Sequence, residues 1–248
     1  MSCLLIDSGN TRLKYSLFEN NQISEIFTIE YNNSLELSTF IGCFNELSKF
    51  DEVFVSNVAG RDVENVLRDY FVQCGIPCQF AAAQVSFGGL VNAYVNADQL
   101  GVDRWLTMIA VTDCFSSPFC VADCGTAITI DAVDKDGKHK GGVILPGLTL
   151  MLSAINANTD AIEIEQLDDH VEIFGKNTQQ AVSAGINYSA AVLIETVYHA
   201  LEKEADLDVK CILTGGDAEF LQGYLSVPSA IETDLVFKGL VSYFGLIE

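Results

Sequence analysis

The chain opens as short apolar runs broken by polar turns. Cys3–Asp7 is apolar until it ends on a carboxylate, Ser8-Gly9-Asn10-Thr11 is turn-forming, and Leu13–Phe18 is apolar again. Short runs bounded by glycine and asparagine predict a buried strand, a tight turn and a second strand. A third strand is expected near Ile23–Ile29, before a helix over Ser34–Phe50. Glu52–Ser56 reads as another buried strand, Val63–Gln73 as a helix and Pro77–Ala81 as a strand, and Ala93–Ala110 begins irregular and becomes helical after Asp103.

The same pattern then returns. Phe119–Asp123 is a second apolar run ending on aspartate, followed by Cys124-Gly125-Thr126-Ala127 and a strand over Ile128–Val133. Asp136-Gly137 signals a hairpin into a third strand, Gly141–Leu145. The two aspartates lie 116 residues apart, nearly half the chain. This predicts an approximate duplication, with domains 1–115 and 116–248, and the absence of a Gly/Ser- or Pro-rich linker predicts a tight hinge or cleft. Asn177–Lys203 forms a long helix, capped by Asn177 or Thr178, with apolar residues at 182, 186, 190, 193, 197 and 201. Its other faces are also largely apolar, which predicts burial on two sides, in the molecule's centre or at a subunit interface. Cys211–Leu213 reads as a strand, Ala218–Tyr224 as a helix and Leu235–Ile247 as a final strand-to-helix element, while the acidic stretch Asp160–Glu172 reads as a solvated face or mobile loop.

Composition narrows the function. At 248 residues with 49% hydrophobic positions the chain buries a sizeable core, so wholesale disorder is excluded. Thirty-four acidic against 13 basic residues give a net charge of −21, which argues against a nucleic-acid partner. No apolar run approaches the roughly 20 residues of a membrane span. The N-terminal run reaches Asp7 too early for a secretory signal, so the expected location is cytoplasmic. Eight cysteines without a Cys-x-x-Cys pair read as reduced packing thiols, and the three solitary histidines as surface or packing residues.

An Asp-x-Gly sequence at a strand end has its own chemistry. The glycine lets the chain turn sharply and present amide N–H groups, while the carboxylate holds a hydrated cation beside them. Thr11 and Thr126 add hydroxyl donors and Lys14 a positive charge. One such turn is ordinary; two at duplicated positions point to a polyphosphate held between them. Asp103, in a Gly-x-Asp-Arg turn before a helix, is a helix cap or a general base, and Arg104 beside it suits a carboxylate or phosphate.

Asp7-Ser8-Gly9-Asn10-Thr11 with Lys14, Tyr94, Leu100-Gly101-Val102-Asp103-Arg104, Asp123-Cys124-Gly125-Thr126-Ala127, Gly141-Gly142-Val143-Ile144-Leu145-Pro146-Gly147 and Leu213-Thr214-Gly215-Gly216-Asp217-Ala218 follow one another in this order. In order and spacing they resemble the type III pantothenate kinases over essentially the whole chain. The resemblance implies an α/β fold of two tandem ribonuclease-H-like (actin-like ATPase) domains, with mixed central sheets flanked by helices and an interdomain cleft. It also implies ATP-dependent phosphorylation of pantothenate, the first step of coenzyme A synthesis, with Mg2+, a monovalent cation (K+ or NH4+) and a homodimer. Carried onto this chain, Asp103 is the catalytic base. Tyr94, Gly101, Val102, Asp103, Arg104 and Thr178 meet pantothenate, Thr178 from the neighbouring subunit. Asp7, Ser8, Gly9, Asn10, Thr11, Arg12, Leu13, Lys14 and Thr126 hold the nucleotide. Asp123 serves the monovalent cation, although the wider superfamily would give it the divalent one. Where the family commonly has proline, this chain has Ala97, which predicts a looser loop at Tyr94. Two other readings share this fold, a nucleotide-binding accessory protein without catalysis and another small-molecule kinase or polyphosphate hydrolase. The first has no need of Asp103, and the second would differ around residues 94–104.

Overall fold

The computed structural model describes residues 2–31, 44, 50–115, 118–160, 162–205 and 207–247. The helix expected over 34–50 lies outside these apart from Phe44 and Phe50. Contacts divide the chain into two compact units, one of Met1–Gly88, Tyr94–Ala110 and Leu235–Glu248, the other of Gly89–Ala93 and Val111–Asp234.

The first unit begins with β1 (Cys3–Ser8) and β2 (Arg12–Glu19), antiparallel with Asp7 opposite Lys14. Asn20 and Asn21, at φ 53° and 61°, make a left-handed two-residue turn into β3 (Gln22–Ile23). The single third strand expected here is instead two pieces, β3 and β4 (Phe27–Glu30), each paired with β2. Next come β5 (Glu52–Asn57), helix α1 (Arg61–Cys74) and β6 (Cys78–Phe80), with β1, β5 and β6 parallel in the order β3-β2-β1-β5-β6. A strand buried on both faces has no polar side, which is why Cys3–Ile6 reads as unbroken apolar sequence. Leu4 and Ile6 pack with Leu67 and Phe71 of α1, whereas Cys3 and Leu5 pack with Val102 and Leu106 of α2 (Val102–Cys114) and with Phe237 and Leu240 of α6 (Leu235–Tyr243). Each such side chain contributes about 1.5–3 kcal/mol on burial. Between α1 and α2 lie the short strands β7 (Ser86–Phe87) and β8 (Leu90–Val91) and a 3-10 turn, Ala97–Gln99.

The second unit repeats the strand plan. β9 (Phe119–Cys124) pairs antiparallel with β10 (Ala127–Val133), which pairs antiparallel with β11 (His139–Pro146). β9 also runs parallel to β12 (Lys210–Thr214), and β12 to β13 (Ala230–Ile231). The order β11-β10-β9-β12-β13 matches that of the first sheet strand for strand. Cys120, Ala122, Ile128 and Ile130 pack beneath α3 (Leu148–Asn158), α4 (Thr178–Ala205) and α5 (Ala218–Gln222). Among the described residues no helix is long and apolar enough to cross a membrane.

Candidate active site

Four groups of predicted residues are built by local structure, two in each unit. In the first unit, β1 delivers Asp7, half-buried, directly opposite Lys14. Directly opposed residues of an antiparallel pair share a face, so the carboxylate and the ammonium stem are neighbours. The turn between them is fixed from several sides. Gly9 N–H donates to Arg12 O at 3.0 Å, Val58 N–H to Ser8 O at 2.9 Å and Tyr31 N–H to Thr11 O at 3.0 Å. The Tyr31 hydroxyl also donates to Gly9 O and lies 3.5 Å from Ser8 Oγ, and burial raises it above its ordinary pKa. Nothing local in the sequence marks Tyr31 as the brace of this turn. Arg12 pairs with Glu30 at 3.1 Å, both exposed, a contact of little energetic weight.

The second group sits at the start of α2. Gly101 O accepts the Trp105 N–H at 3.1 Å, so Gly101 is the capping position and Asp103 lies inside the first turn. Asp103 Oδ1 accepts the Arg104 N–H at 2.8 Å, and a Cβ on Gly101 would stand 2.6 Å from that oxygen. The carboxylate is thus folded back over the glycine, at the helix end that favours negative charge. Arg104 is only 6% exposed; its Nη1 donates to the Tyr94 hydroxyl at 3.1 Å, and its guanidinium carbon lies 5.8 Å from the ring centroid. Val102 turns its side chain into the core with Leu5 and Leu106. Around Ala97, Gln99 N–H donates to Asn96 O at 3.1 Å and Leu100 N–H to Ala97 O at 3.2 Å.

In the second unit, β9 ends on Asp123 as β1 ends on Asp7. Gly125 N–H donates to Ala127 O at 3.2 Å, and Thr126 O accepts the Gly147 N–H at 2.9 Å. The Thr214–Asp217 segment presses on this loop: Asp217 N–H donates to Cys124 O at 3.0 Å. Gly215, at φ +90°, has no room for a Cβ, which would meet Cys124 O at 2.5 Å and Asp123 Oδ1 at 2.6 Å. Burial, then the charges of Asp123 and Asp217, push the Cys124 thiol far above its ordinary range, so it is an inert filler. Gly215 and Asp217 carried no site role in the sequence reading; their signal was a Thr-Gly-Gly-Asp turn closing a buried strand.

Thr178 is the first residue of α4. Asn177 caps that helix, its Oδ1 accepting the Gln180 N–H at 2.8 Å while Gln180 Oε1 accepts the Lys176 N–H at 2.9 Å. Thr178 is exposed and lines an apolar cavity of about 890 Å3 with Met151, Ile155, Ile162, Val182 and Ile186. In the acidic stretch before it Asp160, Glu163, Glu165, Asp169 and Glu172 are exposed, as a solvated face predicts, while main-chain groups are bonded by α4 and by Tyr224. Ser183 Oγ accepts the Asp168 N–H at 3.0 Å, Asn187 donates to Asp168 O at 3.2 Å, and the Tyr224 hydroxyl donates to Asp169 O at 2.9 Å.

Two α/β units of one strand plan, each with an aspartate and a glycine turn where its first two strands meet, define a phosphotransferase of the actin-like, ribonuclease-H-like class. The model of the type III pantothenate kinase family matches residues 3–200, and the chain belongs to that family. A type III pantothenate kinase of Acinetobacter baumannii is 35% identical over 252 residues, covering 99% of this chain and 98% of that one. Two solved structures show the same fold at lower identity. One is a Campylobacter jejuni protein assigned to a Baf family of transcriptional activators (TM-score 0.65, 21% identity, 98% of this chain and 100% of that one). The other is a Sinorhizobium meliloti protein assigned as a 2-dehydro-3-deoxygalactonokinase (TM-score 0.61, 10% identity, 97% of both).

Proposed function

We propose that this chain carries the γ-phosphoryl group of ATP to the primary hydroxyl of pantothenate with Asp103 as the base. Phosphoryl transfer depends mainly on positioning and charge neutralisation, and the base orients the attacking hydroxyl and takes up its proton. Asp103 suits that task because its carboxylate is held in place by Gly101 and the Arg104 N–H. Arg104 and Tyr94, already joined to each other, receive the polar groups of pantothenate together with the main chain of Gly101 and Val102. A chain of net charge −21 attracts no polyphosphate at long range, so ATP is held by local donors. These are the amides of residues 8–13, the hydroxyls of Thr11 and Thr126, and Lys14.

The two implied cations find oxygen donors. Asp7 beside Lys14 suits a hydrated Mg2+ brought by the nucleotide, which would neutralise charge on the phosphates. Asp123 Oδ1 and Cys124 O converge on Gly215, an all-oxygen setting that suits K+ or NH4+ at the second turn. The same reading gives a cytoplasmic homodimer joined through α4 and the loop before it, where Val192 of the helix and Ile173 and Phe174 of the loop are exposed at 54, 55 and 81%, and where Thr178 is offered to the partner.

The observation that carries this reading is the Asp103 carboxylate folded over Gly101, one residue from the Arg104–Tyr94 pair. A coupled assay of ADP release, with and without pantothenate and in potassium or sodium buffer, tests it. ADP release that requires pantothenate and potassium is expected; release independent of pantothenate would rule the reading out.

A further inference from the structure

We propose that Ser56 is a positioning residue for the Mg2+-bound nucleotide, acting through the Asp7 carboxylate. The proposal rests on the reading of Asp7 as the residue beside the divalent cation. Ser56 lies on β5 directly across from Asp7 in the parallel β1–β5 pair, as Lys14 lies across from Asp7 on β2. Opposed residues of neighbouring strands are about 4.8 Å apart and point to one face of the sheet. That face is marked by the pair two residues earlier, Leu5 and Phe54, which pack with Val102 and Leu106 of α2. Lys14, Asp7 and Ser56 therefore form one polar row across three strands, on the face that α2 covers.

Ser56 is 0% exposed, and its Oγ has no hydrogen-bond partner among the described residues. Ser8 and Ser16 are buried to the same degree in the same sheet, yet Ser16 Oγ donates to Ser24 O at 3.0 Å and Ser8 Oγ lies 3.5 Å from the Tyr31 hydroxyl. A buried hydroxyl left unpaired costs stability, and here the nucleotide-bound state supplies the pairing. Being enclosed, Ser56 does not meet a ligand itself; Asp7, half-buried beside it, does. Rotation about one side-chain bond lets the hydroxyl donate to the Asp7 carboxylate. That charge-assisted bond holds the carboxylate in the orientation that engages the cation, as hydrogen bonds behind ligating carboxylates do elsewhere.

The test compares wild type, Ser56→Ala and Asp7→Asn by melting curves without nucleotide and by calorimetric titration with ATP, in Mg2+ and in EDTA. Ser56→Ala removes an unpaired group, so the nucleotide-free chain is expected to melt about 2–4 °C higher. The same variant is expected to bind ATP about tenfold more weakly in Mg2+ and equally well in EDTA. A gain in stability joined to a loss of cation-dependent binding is a signature that a purely structural serine does not produce. A Ser56→Ala chain that melts below wild type, or fails to fold, would show that the hydroxyl serves folding and overturn the proposal. If Asp7→Asn weakens Mg2+-dependent binding and Ser56→Ala does not, the positioning role is overturned and the reading of Asp7 stands. If neither weakens it, both are overturned. Equal weakening by Ser56→Ala in Mg2+ and in EDTA also overturns the proposal, because the effect then bypasses the cation.

Discussion

The carboxylate of Asp103 occupies the space that any side chain on Gly101 would need, so two substitutions separate its chemistry from its placement. Asp103→Asn keeps the shape and removes the proposed base; kcat is expected to fall by about 10²–10⁴ with the melting temperature nearly unchanged. Gly101→Ala keeps the base and pushes it aside, because the new Cβ would stand 2.6 Å from Oδ1. Its expected signature is a large loss in kcat with the KM for ATP unchanged, read from initial rates at saturating nucleotide. At this scale the sequence was informative about residue types and less so about geometry. Gly101, not Asp103, caps α2, and Asn177, not Thr178, caps α4. Asn, Asp, Thr and Gly are all competent caps, so local composition alone does not choose among neighbours. Tyr31 was invisible because it works through the carbonyl of Gly9, which every residue type possesses.

Elements followed the apolar pattern wherever that pattern had a clear period. β1, β5, β9 and β12 are short runs bounded by turns and appear within a residue or two of expectation. Helix α3 was missed because Leu148-Thr149-Leu150-Met151-Leu152 is apolar at nearly every position and shows no helical repeat. In the structure the turn is sided after all: Leu148 and Leu152 are 5% and 6% exposed, Leu150 49%. The acidic stretch is solvated at its side chains as expected, and its main chain at Asp168 and Asp169 is bonded by Ser183, Asn187 and Tyr224, from up to 55 residues away. Such bonds leave no mark on the acidic residues themselves. The Thr214–Asp217 turn is the element whose failure should be most diagnostic. Gly215→Ala forces a side chain into φ +90° against Cys124 O and Asp123 Oδ1. A loss of about 1–3 kcal/mol is expected in denaturant unfolding, with the KM for ATP raised more than that for pantothenate. An equal rise in both would show that this turn does not serve the nucleotide.

At the scale of the whole molecule, charge and apolar surface pull in opposite directions. Two copies of a −21 chain repel one another, yet α4 and the loop before it expose Val192, Ile173 and Phe174, and Leu150 of α3 lies 49% exposed in the same unit. Clustered apolar exposure of this kind marks an interaction surface, and the double apolar character of α4 was readable in the sequence, although what covers it was not. An interface held by apolar burial against long-range repulsion has a distinctive salt response. Screening weakens the repulsion, with a Debye length of about 10 Å at 0.1 M salt, and leaves the burial intact. The proposed dimer is therefore expected to tighten as salt is raised at constant potassium, the reverse of an interface built on ion pairs. Sedimentation equilibrium across a salt series reads this directly. Val192→Glu adds a charge to the surface that Val192 lines with Ile173 and Phe174 and is expected to shift the proposed dimer to monomer at micromolar concentration. Because Thr178 begins the same helix and is read as serving the neighbouring site, that monomer should fold normally, bind ATP and turn over pantothenate poorly. A Val192→Glu monomer with wild-type kcat and pantothenate KM would place the whole catalytic apparatus within one chain and remove Thr178 from it.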